Sequence, residues 1–255
     1  MDRVGIVLAG GRGTRLLPLT TAISKQLLPV YDKPLIYYPI DTLKKFGIKE
    51  ILIICMPDQI DLFKKCLGDG SQWGLQFSFE IQTDPKGLAD AFILGEKFIN
   101  GRNVTLILGD NIFVGNRFIE LSQAFIDIHK ANMIYGYKVQ NPEQYGVIEF
   151  DSDNTRNVKR VVEKPQNPPS NYACVGLYAF DHTAVEKAKK VVPSTRGEIE
   201  IVDVINQYIQ EGDLNFWKLD DGEAWFDCGT LDDLLDCANY IKALQKRANT
   251  HLGLI

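Results

Sequence analysis

The chain lacks most of the signatures that would place it at once. Its 255 residues include five cysteines (Cys55, Cys66, Cys174, Cys228 and Cys237), and no two form a CxxC pair. Its three histidines, His129, His182 and His251, are far apart in sequence. Zinc-ligand spacing is therefore absent, and the cysteines read as small buried hydrophobes in a reducing compartment. No run approaches the roughly 20 apolar residues of a membrane span, so no membrane partner is expected. The start, Met1-Asp2-Arg3, has neither the basic region nor the apolar stretch of a signal peptide, and a cytoplasmic location is expected. There is no excess of basic charge: 28 Lys+Arg stand against 33 Asp+Glu, a net charge of -5. A nucleic-acid backbone needs a basic footprint, so no nucleic-acid partner is expected. A small anionic ligand needs only a few local cations. With 45% hydrophobic and 24% charged residues, the composition is that of a globular chain, one large domain or two small ones.

What is present is an alternation of short apolar runs with amphipathic stretches. Val4–Leu8, Glu50–Cys55, Phe77–Gln82 and Val104–Leu108 read as strands, and Leu35–Phe46, Asp58–Leu67 and Gly87–Phe98 as helices. Continuous apolar runs separated by helices indicate βαβ units and a mostly parallel sheet. The second half reads differently. Tyr135–Val139, Gly146–Phe150, Lys159–Glu163 and Cys174–Phe180 are strands with short connections, followed by helices at Thr183–Lys190, Glu200–Gln210 and Leu231–Leu244. The expectation is a single α/β domain over residues 1–255, with a Rossmann-like mixed, mostly parallel sheet and a small β-rich lobe.

Five features carry chemistry. The first strand runs into Leu8-Ala9-Gly10-Gly11-Arg12-Gly13-Thr14-Arg15-Leu16. Three glycines let a backbone approach a ligand and turn its N–H groups inward. The loop is no Walker A sequence, and Leu16 stands where a dinucleotide fingerprint needs its third glycine, which disfavours a Rossmann oxidoreductase. Taken alone, the loop is also consistent with a simple tight turn. Arg15 and, ten residues on, Lys25 add two cations suited to a triphosphate. Asp110, in Leu108-Gly-Asp-Asn111, follows a buried strand, at the end where ligand crevices of open α/β sheets lie. Asp227, in Trp225-Phe-Asp-Cys-Gly229, repeats that placement, and two such carboxylates suit one Mg²⁺ bridging to phosphate. Glu163 and Lys164, before Pro165, suit sugar hydroxyls and a second phosphate.

In these motifs the chain resembles the sugar-phosphate nucleotidyltransferases, and within them the glucose-1-phosphate thymidylyltransferases. The resemblance runs in order through the glycine loop, Lys25-Gln-Leu-Leu-Pro-Val-Tyr-Asp-Lys-Pro34, Leu67-Gly-Asp-Gly-Ser71, Gly87-Leu-Ala-Asp-Ala-Phe92, Leu108-Gly-Asp-Asn111, Glu163-Lys-Pro165, Ser170-Asn-Tyr-Ala173, Arg196-Gly-Glu-Ile-Glu200 and Trp225-Phe-Asp-Cys-Gly229. It covers essentially the whole chain. It implies the nucleotide-diphospho-sugar transferase fold, with a nucleotide-binding half (1–112) and a sugar-phosphate-binding half (113–255). The implied reaction takes dTTP and glucose 1-phosphate to dTDP-glucose and pyrophosphate. A UTP-using uridylyltransferase and a non-catalytic nucleotide-sugar sensor are the alternatives.

Carried over by motif, Arg15, Lys25, Asp110, Lys164 and Asp227 would be catalytic, and Asp110 and Asp227 would hold Mg²⁺. Leu8, Ala9, Gly10, Gly11, Gly13, Thr14, Arg15, Gln26, Gln82, Gly87 and Asp110 would bind the nucleotide, with Gln82 and Gly87 at the thymine edge. Asn111, Tyr145, Gly146, Glu163, Lys164, Cys174, Val175 and Trp225 would bind the sugar phosphate. Cys174 stands where the family usually has Val, and Cys228 where it usually has Thr. The family implies a homo-oligomer, tetramer or dimer. The chain stops at Ile255, like the family's short form, which lacks a further helical segment associated with a feedback site for the pathway's end product.

Overall fold

The computed structural model describes residues 3–129, 132–151, 154–219, 222–249 and 251–254. The chain folds as two compact units interleaved along the sequence. One, the glycine-loop unit, is built from Val4–Pro85, Ile107–Ile119 and Ala224–Ile255. The other, the β-rich unit, takes Lys86–Leu106 and Glu120–Glu223 together with Met1–Arg3. A boundary at residue 112 does not coincide with this division, because the last stretch of chain belongs with the first.

In the glycine-loop unit the strands Arg3–Ala9, Glu50–Cys55 and Gln76–Ile81 run parallel, with Ile6 opposite Leu52 and Ile51 opposite Phe77. Val4, Ile6, Val7, Ile51, Ile53 and Ile54 are fully buried, as β-branched residues in a parallel sheet covered on both faces should be. The helix Tyr37–Lys45 buries Ile40 and Leu43, and Leu43 lies where a side chain at Gly5 would have to go. Gly47, at φ 76°, ends that helix. The last helix, Leu231–Ala248, is capped by the Thr230 hydroxyl, which accepts from the Asp233 N–H at 3.1 Å. It runs a turn beyond the expected end at Leu244. It buries Leu234, Cys237 and Ile241 against Leu16, Leu28, Val30, Leu35 and Tyr38, so the residue after the glycine loop is anchored in this core.

One element here had no expectation in the sequence. Asn111–Val114 and Ala224–Asp227 form a two-stranded antiparallel ribbon, with Asn111 opposite Asp227 and Phe113 opposite Trp225.

In the β-rich unit, Tyr172–Phe180 pairs antiparallel with Met133–Lys138 and meets Gly146–Asp151 at Ala173. Gly146–Asp151 pairs antiparallel with Asn154–Glu163, placing Glu163 opposite Gly146. Asn215–Lys218 adds a parallel strand on Met133–Lys138. The rings of Phe180 and Tyr208 stack at 4.8 Å beneath this sheet, and Tyr208 comes from the helix Ile201–Gln210. The helix expected at Gly87–Phe98 is instead two short helices, Asp90–Leu94 and Glu96–Ile99, meeting at Gly95. Gly87 does not open a helix because its φ is +105°, and a Cβ there would collide with the Ile199 backbone. Another helix, Asn116–His129, was not anticipated. Among the described residues no helix is long and apolar enough to cross a membrane, and the five cysteines are free.

Candidate active site

The strand Arg3–Ala9 delivers the chain directly into the glycine loop. A side chain at Gly10 would collide with the carboxamide oxygen of Gln82, a residue only 3% exposed. Gly10 therefore lets a buried amide lie across the loop. Gly11 faces Lys25, whose Nζ lies 3.8 Å from the position a Cβ would take. Gly13, at φ 61°, turns the chain left-handed, and its carbonyl accepts from the Thr20 hydroxyl at 2.8 Å. The short 3₁₀ turn Thr14–Leu16 follows. Leu16 is buried in the core, which leaves Thr14 and Arg15 exposed. Gln26 is nearly inaccessible, packs against Gly109 and accepts from the Ser24 hydroxyl, so it shapes the loop from beneath.

Asp110 arrives beside this loop because the Gly109 N–H donates to the Leu8 carbonyl at 2.9 Å. Its carboxylate is almost fully enclosed and both oxygens are engaged. Lys25 Nζ bonds Oδ2, and the Asn111 side-chain amide donates to Oδ1 at 3.1 Å. Burial works against the Lys25 charge, but Asp110 outweighs it and holds the amine above its ordinary range.

Asp227 joins the group because the ribbon sets it opposite Asn111 and the Cys228 N–H donates to the Asp110 carbonyl at 3.0 Å. Burial and the neighbouring Asp110 charge push the Asp227 carboxyl up to about 7, while Lys25 and Arg15 pull the other way. Two neighbouring carboxylates, one of which raises the other's proton affinity, form a natural seat for a cation. Among the described residues no three His, Cys, Asp or Glu side chains form a metal cage. The chemistry of the two carboxylates suits a hard divalent cation that takes one or two carboxylates from the protein and its other ligands from water and phosphate oxygens.

Arg15 reaches the same place. Its Nη2 lies 2.6 Å from the position a Cβ would occupy on Gly229. Sequence reasoning gave Gly229 no role, yet the guanidinium can lie there only because that side chain is missing. Gly229→Ala is expected to displace Arg15 and lower turnover roughly tenfold or more, the effect of losing one positioned charge at a charge-stabilising site. An unchanged rate in a pyrophosphate-release assay would show that Arg15 needs no such approach.

The β-rich unit holds a second group. Glu163 ends its strand opposite Gly146, and the Lys164 N–H donates to the Tyr145 carbonyl at 3.0 Å. Lys164 sits at φ 41°, left-handed for a residue with a side chain, and such backbone strain concentrates at functional positions. Arg196 Nη2 bonds Glu163 at 3.0 Å and Glu200 at 2.9 Å, and the Ser194 hydroxyl also bonds Glu200. These residues line a cavity of about 510 Å³ with Val202 and Asn206. Cys174 lies close enough for Glu163 to join burial in raising its thiol pKa.

Tyr145, Gly146, Glu163, Lys164 and Cys174 thus come together. Val175 does not join them: it is fully buried and, being next to Cys174 on a strand, faces the other way. Asn111 and Trp225, expected with the sugar phosphate, lie in the glycine-loop unit beside Asp110. Gly87 lies in the β-rich unit against Ile199, whereas the other expected nucleotide residues lie in the glycine-loop unit. Arg196 and Glu200 had been given no role, although the charge density of Arg196-Gly-Glu-Ile-Glu200 was a signal for them.

A glycine loop bearing two cations, with a pair of enclosed carboxylates at the strand ends, is the equipment of a phosphate-transferring site. The chain belongs to the nucleotidyl transferase family, whose description matches residues 4–243. Its relatives narrow the class. The glucose-1-phosphate thymidylyltransferase of Neisseria meningitidis serogroup A is 48% identical over 252 residues, covering 98% of this chain and 86% of the relative. That of Xanthomonas campestris pv. campestris strain B100 is 46% identical over 246 residues, covering 96% and 83%. A solved Bacillus anthracis protein, provisionally given the same name and crystallised with sucrose, superposes with a TM-score of 0.85 at 33% identity, covering 94% of this chain and 95% of that one. The fold is the expected one, a mixed sheet flanked by helices as in nucleotide-diphospho-sugar transferases.

Proposed function

We propose that this chain transfers a thymidylyl group from dTTP to α-D-glucose 1-phosphate, releasing dTDP-glucose and pyrophosphate. The observation that carries the reading is the meeting of Lys25, Arg15, Asp110 and Asp227 at the glycine loop. An oxygen of the sugar phosphate forms a bond to the α-phosphorus as the bond from that phosphorus to the β-phosphate bridge breaks, and the electron pair leaves with pyrophosphate. The attacking group is already an anion, so the protein has no proton to remove. Its task is positioning and charge neutralisation. The loop N–H groups and the exposed Arg15 hold the triphosphate. Lys25 offsets charge that grows on the α-phosphoryl oxygens. Asp110 and Asp227 would hold Mg²⁺, which when bound supplies Lewis-acid stabilisation of the phosphoryl oxygens. The buried Gln82 amide offers hydrogen bonds to a pyrimidine edge. Glu163 accepts from sugar hydroxyls, and Lys164 pairs with the sugar phosphate.

Thymine and uracil share that edge and differ by one methyl group, which makes UTP the competing nucleotide. A pyrophosphate-release assay crossing dTTP and the four ribonucleoside triphosphates with several sugar 1-phosphates tests the proposal. The expected result is fastest release with dTTP and glucose 1-phosphate in Mg²⁺. Release fastest with UTP would make the chain a uridylyltransferase, and no release from any pair would make it a binding protein. The same reading carries a cytoplasmic homo-oligomer, dimer or tetramer, which light scattering coupled to gel filtration reads directly.

Lys164→Ala separates the two substrates. Removing one charge-assisted hydrogen bond costs about 1.5–3 kcal/mol, roughly tenfold to a hundredfold. The KM for glucose 1-phosphate should rise by that factor while the KM for dTTP stays within about twofold. Equal rises for both substrates would count against the assignment.

A further inference from the structure

We infer that Trp225 and Asn111 form a hydrogen-bond relay that aims the carboxylate of Asp110 at its metal. The inference rests on the proposed metal-dependent nucleotidyl transfer and gives a task to two residues that the sequence placed with the sugar phosphate.

The relay follows from donor chemistry. Asn111 is 1% exposed, and its side-chain amide has an oxygen at one end and a nitrogen at the other. Turned one way it donates to Asp110; turned the other way it presents a second oxygen to an anion. The Trp225 indole N–H is donor only and bonds Asn111 Oδ1 at 2.7 Å. That bond fixes the amide, so Nδ2 faces Asp110 Oδ1 at 3.1 Å. Lys25 holds the other carboxylate oxygen from the loop side. Asp110 is thus gripped at both oxygens, and its remaining lone pairs have a fixed direction.

The ribbon explains why these residues share the task. Trp225 and Asp227 are two apart on one strand, so their side chains project to the same face. Asn111 lies directly opposite Asp227, so it projects to that face as well. One ribbon face therefore carries the second carboxylate and both members of the relay. Partners that orient a ligating group from behind typically change metal affinity by about 10–100-fold when removed.

Trp225→Phe keeps an aromatic ring and deletes the indole N–H. Mn²⁺ binding, followed by electron paramagnetic resonance on the nucleotide-free protein, is read beside steady-state kinetics. The expected result is a Mn²⁺ dissociation constant raised about tenfold or more, a matching rise in the Mg²⁺ concentration for half-maximal rate, and an unchanged KM for glucose 1-phosphate. Wild-type Mn²⁺ affinity in the variant, or a raised KM for glucose 1-phosphate alone, would overturn the relay and return Trp225 to the sugar. A parent chain that binds no Mn²⁺ would instead overturn the metal reading beneath it. If Trp225→Phe does not fold, Trp225→Phe combined with Asn111→Leu leaves neither the amide nor the indole stranded by loss of the other, while Asp110 still loses the donor that the relay supplies. The double variant must show the same loss of Mn²⁺ affinity.

Discussion

Asp227→Asn is expected to cut turnover by at least about 10²-fold, as loss of a charge-organising group at a phosphoryl centre does, and yet to leave the metal-free chain no less stable. Burial and the Asp110 charge push the Asp227 carboxyl up to about 7. A carboxyl raised in the folded state favours folding while it is protonated. That contribution is present below the unfolded value near 3.8 and is lost as pH rises through about 7. At neutral pH without metal the ionised group opposes folding, and the neutral amide removes the opposition. Asp110→Asn should lose as much turnover but behave differently on heating. It leaves the Lys25 amine, 13% exposed, without its ion-pair partner. A buried charged donor so stranded costs about 1–3 kcal/mol. Thermal unfolding in a chelator, alongside pyrophosphate release in Mg²⁺, separates the two. Wild-type rates in both variants would remove the metal from the mechanism.

The second large effect falls on the fold. Gly87→Ala should destabilise the chain by about 3 kcal/mol or more. A side chain held at positive φ costs about 1–3 kcal/mol by itself. Here, at φ +105°, the new Cβ would also lie 2.6 Å from the Ile199 nitrogen and nearer still to the Ile199 oxygen. The neighbour is backbone and is held on both sides, because the Ala89 N–H donates to the Ile199 carbonyl and the Ile199 N–H to the Lys86 carbonyl. For a chain of this size the melting temperature should fall by about 6–12 °C. Gly74→Ala is the control: its φ is +69° but nothing lies within 4 Å of the added carbon, so a loss of about 1 kcal/mol is expected. Equal melting temperatures for the two variants would mean that the Ile199 backbone gives way.

The contrast between these residues shows what the sequence could disclose. The glycine loop was legible because its chemistry is local: glycines, a cation and a strand end within nine residues. The strand Glu50–Cys55 was legible because the five apolar positions Ile51–Cys55, four of them in the run Ile-Leu-Ile-Ile, permit little else. The partnership of Asp110 with Asp227 was suspected from their similar surroundings, but nothing in the sequence announced the ribbon that brings them together. Its strands are four residues long and belong to distant stretches. The same distance hid the work of Asn111. Its neighbours in sequence suggest a loop residue near substrate, whereas its amide is fixed by a tryptophan 114 positions away. Helix periodicity also misled at Gly87–Phe98, where apolar spacing ran on through Gly95 and could not register a backbone contact with Ile199. Arg196 was visible as charge but not as the partner of Glu163, since ion-pair geometry depends on how two separate segments are folded against each other.

The interleaving of the two units bears on how the protein is made. The glycine loop, Lys25 and the first parallel strands leave the ribosome early, and Asp110 follows. The stretch that completes their unit, with Asp227, Gly229 and the capped helix Leu231–Ala248, is synthesised more than a hundred residues after Asp110. Until it arrives, Leu16, Leu28, Val30 and Tyr38 lack the helix face that covers them. A nascent chain halted before Ala224 should therefore expose this apolar surface and engage chaperones, and phosphate-binding competence should appear only once the helix Leu231–Ala248 has emerged.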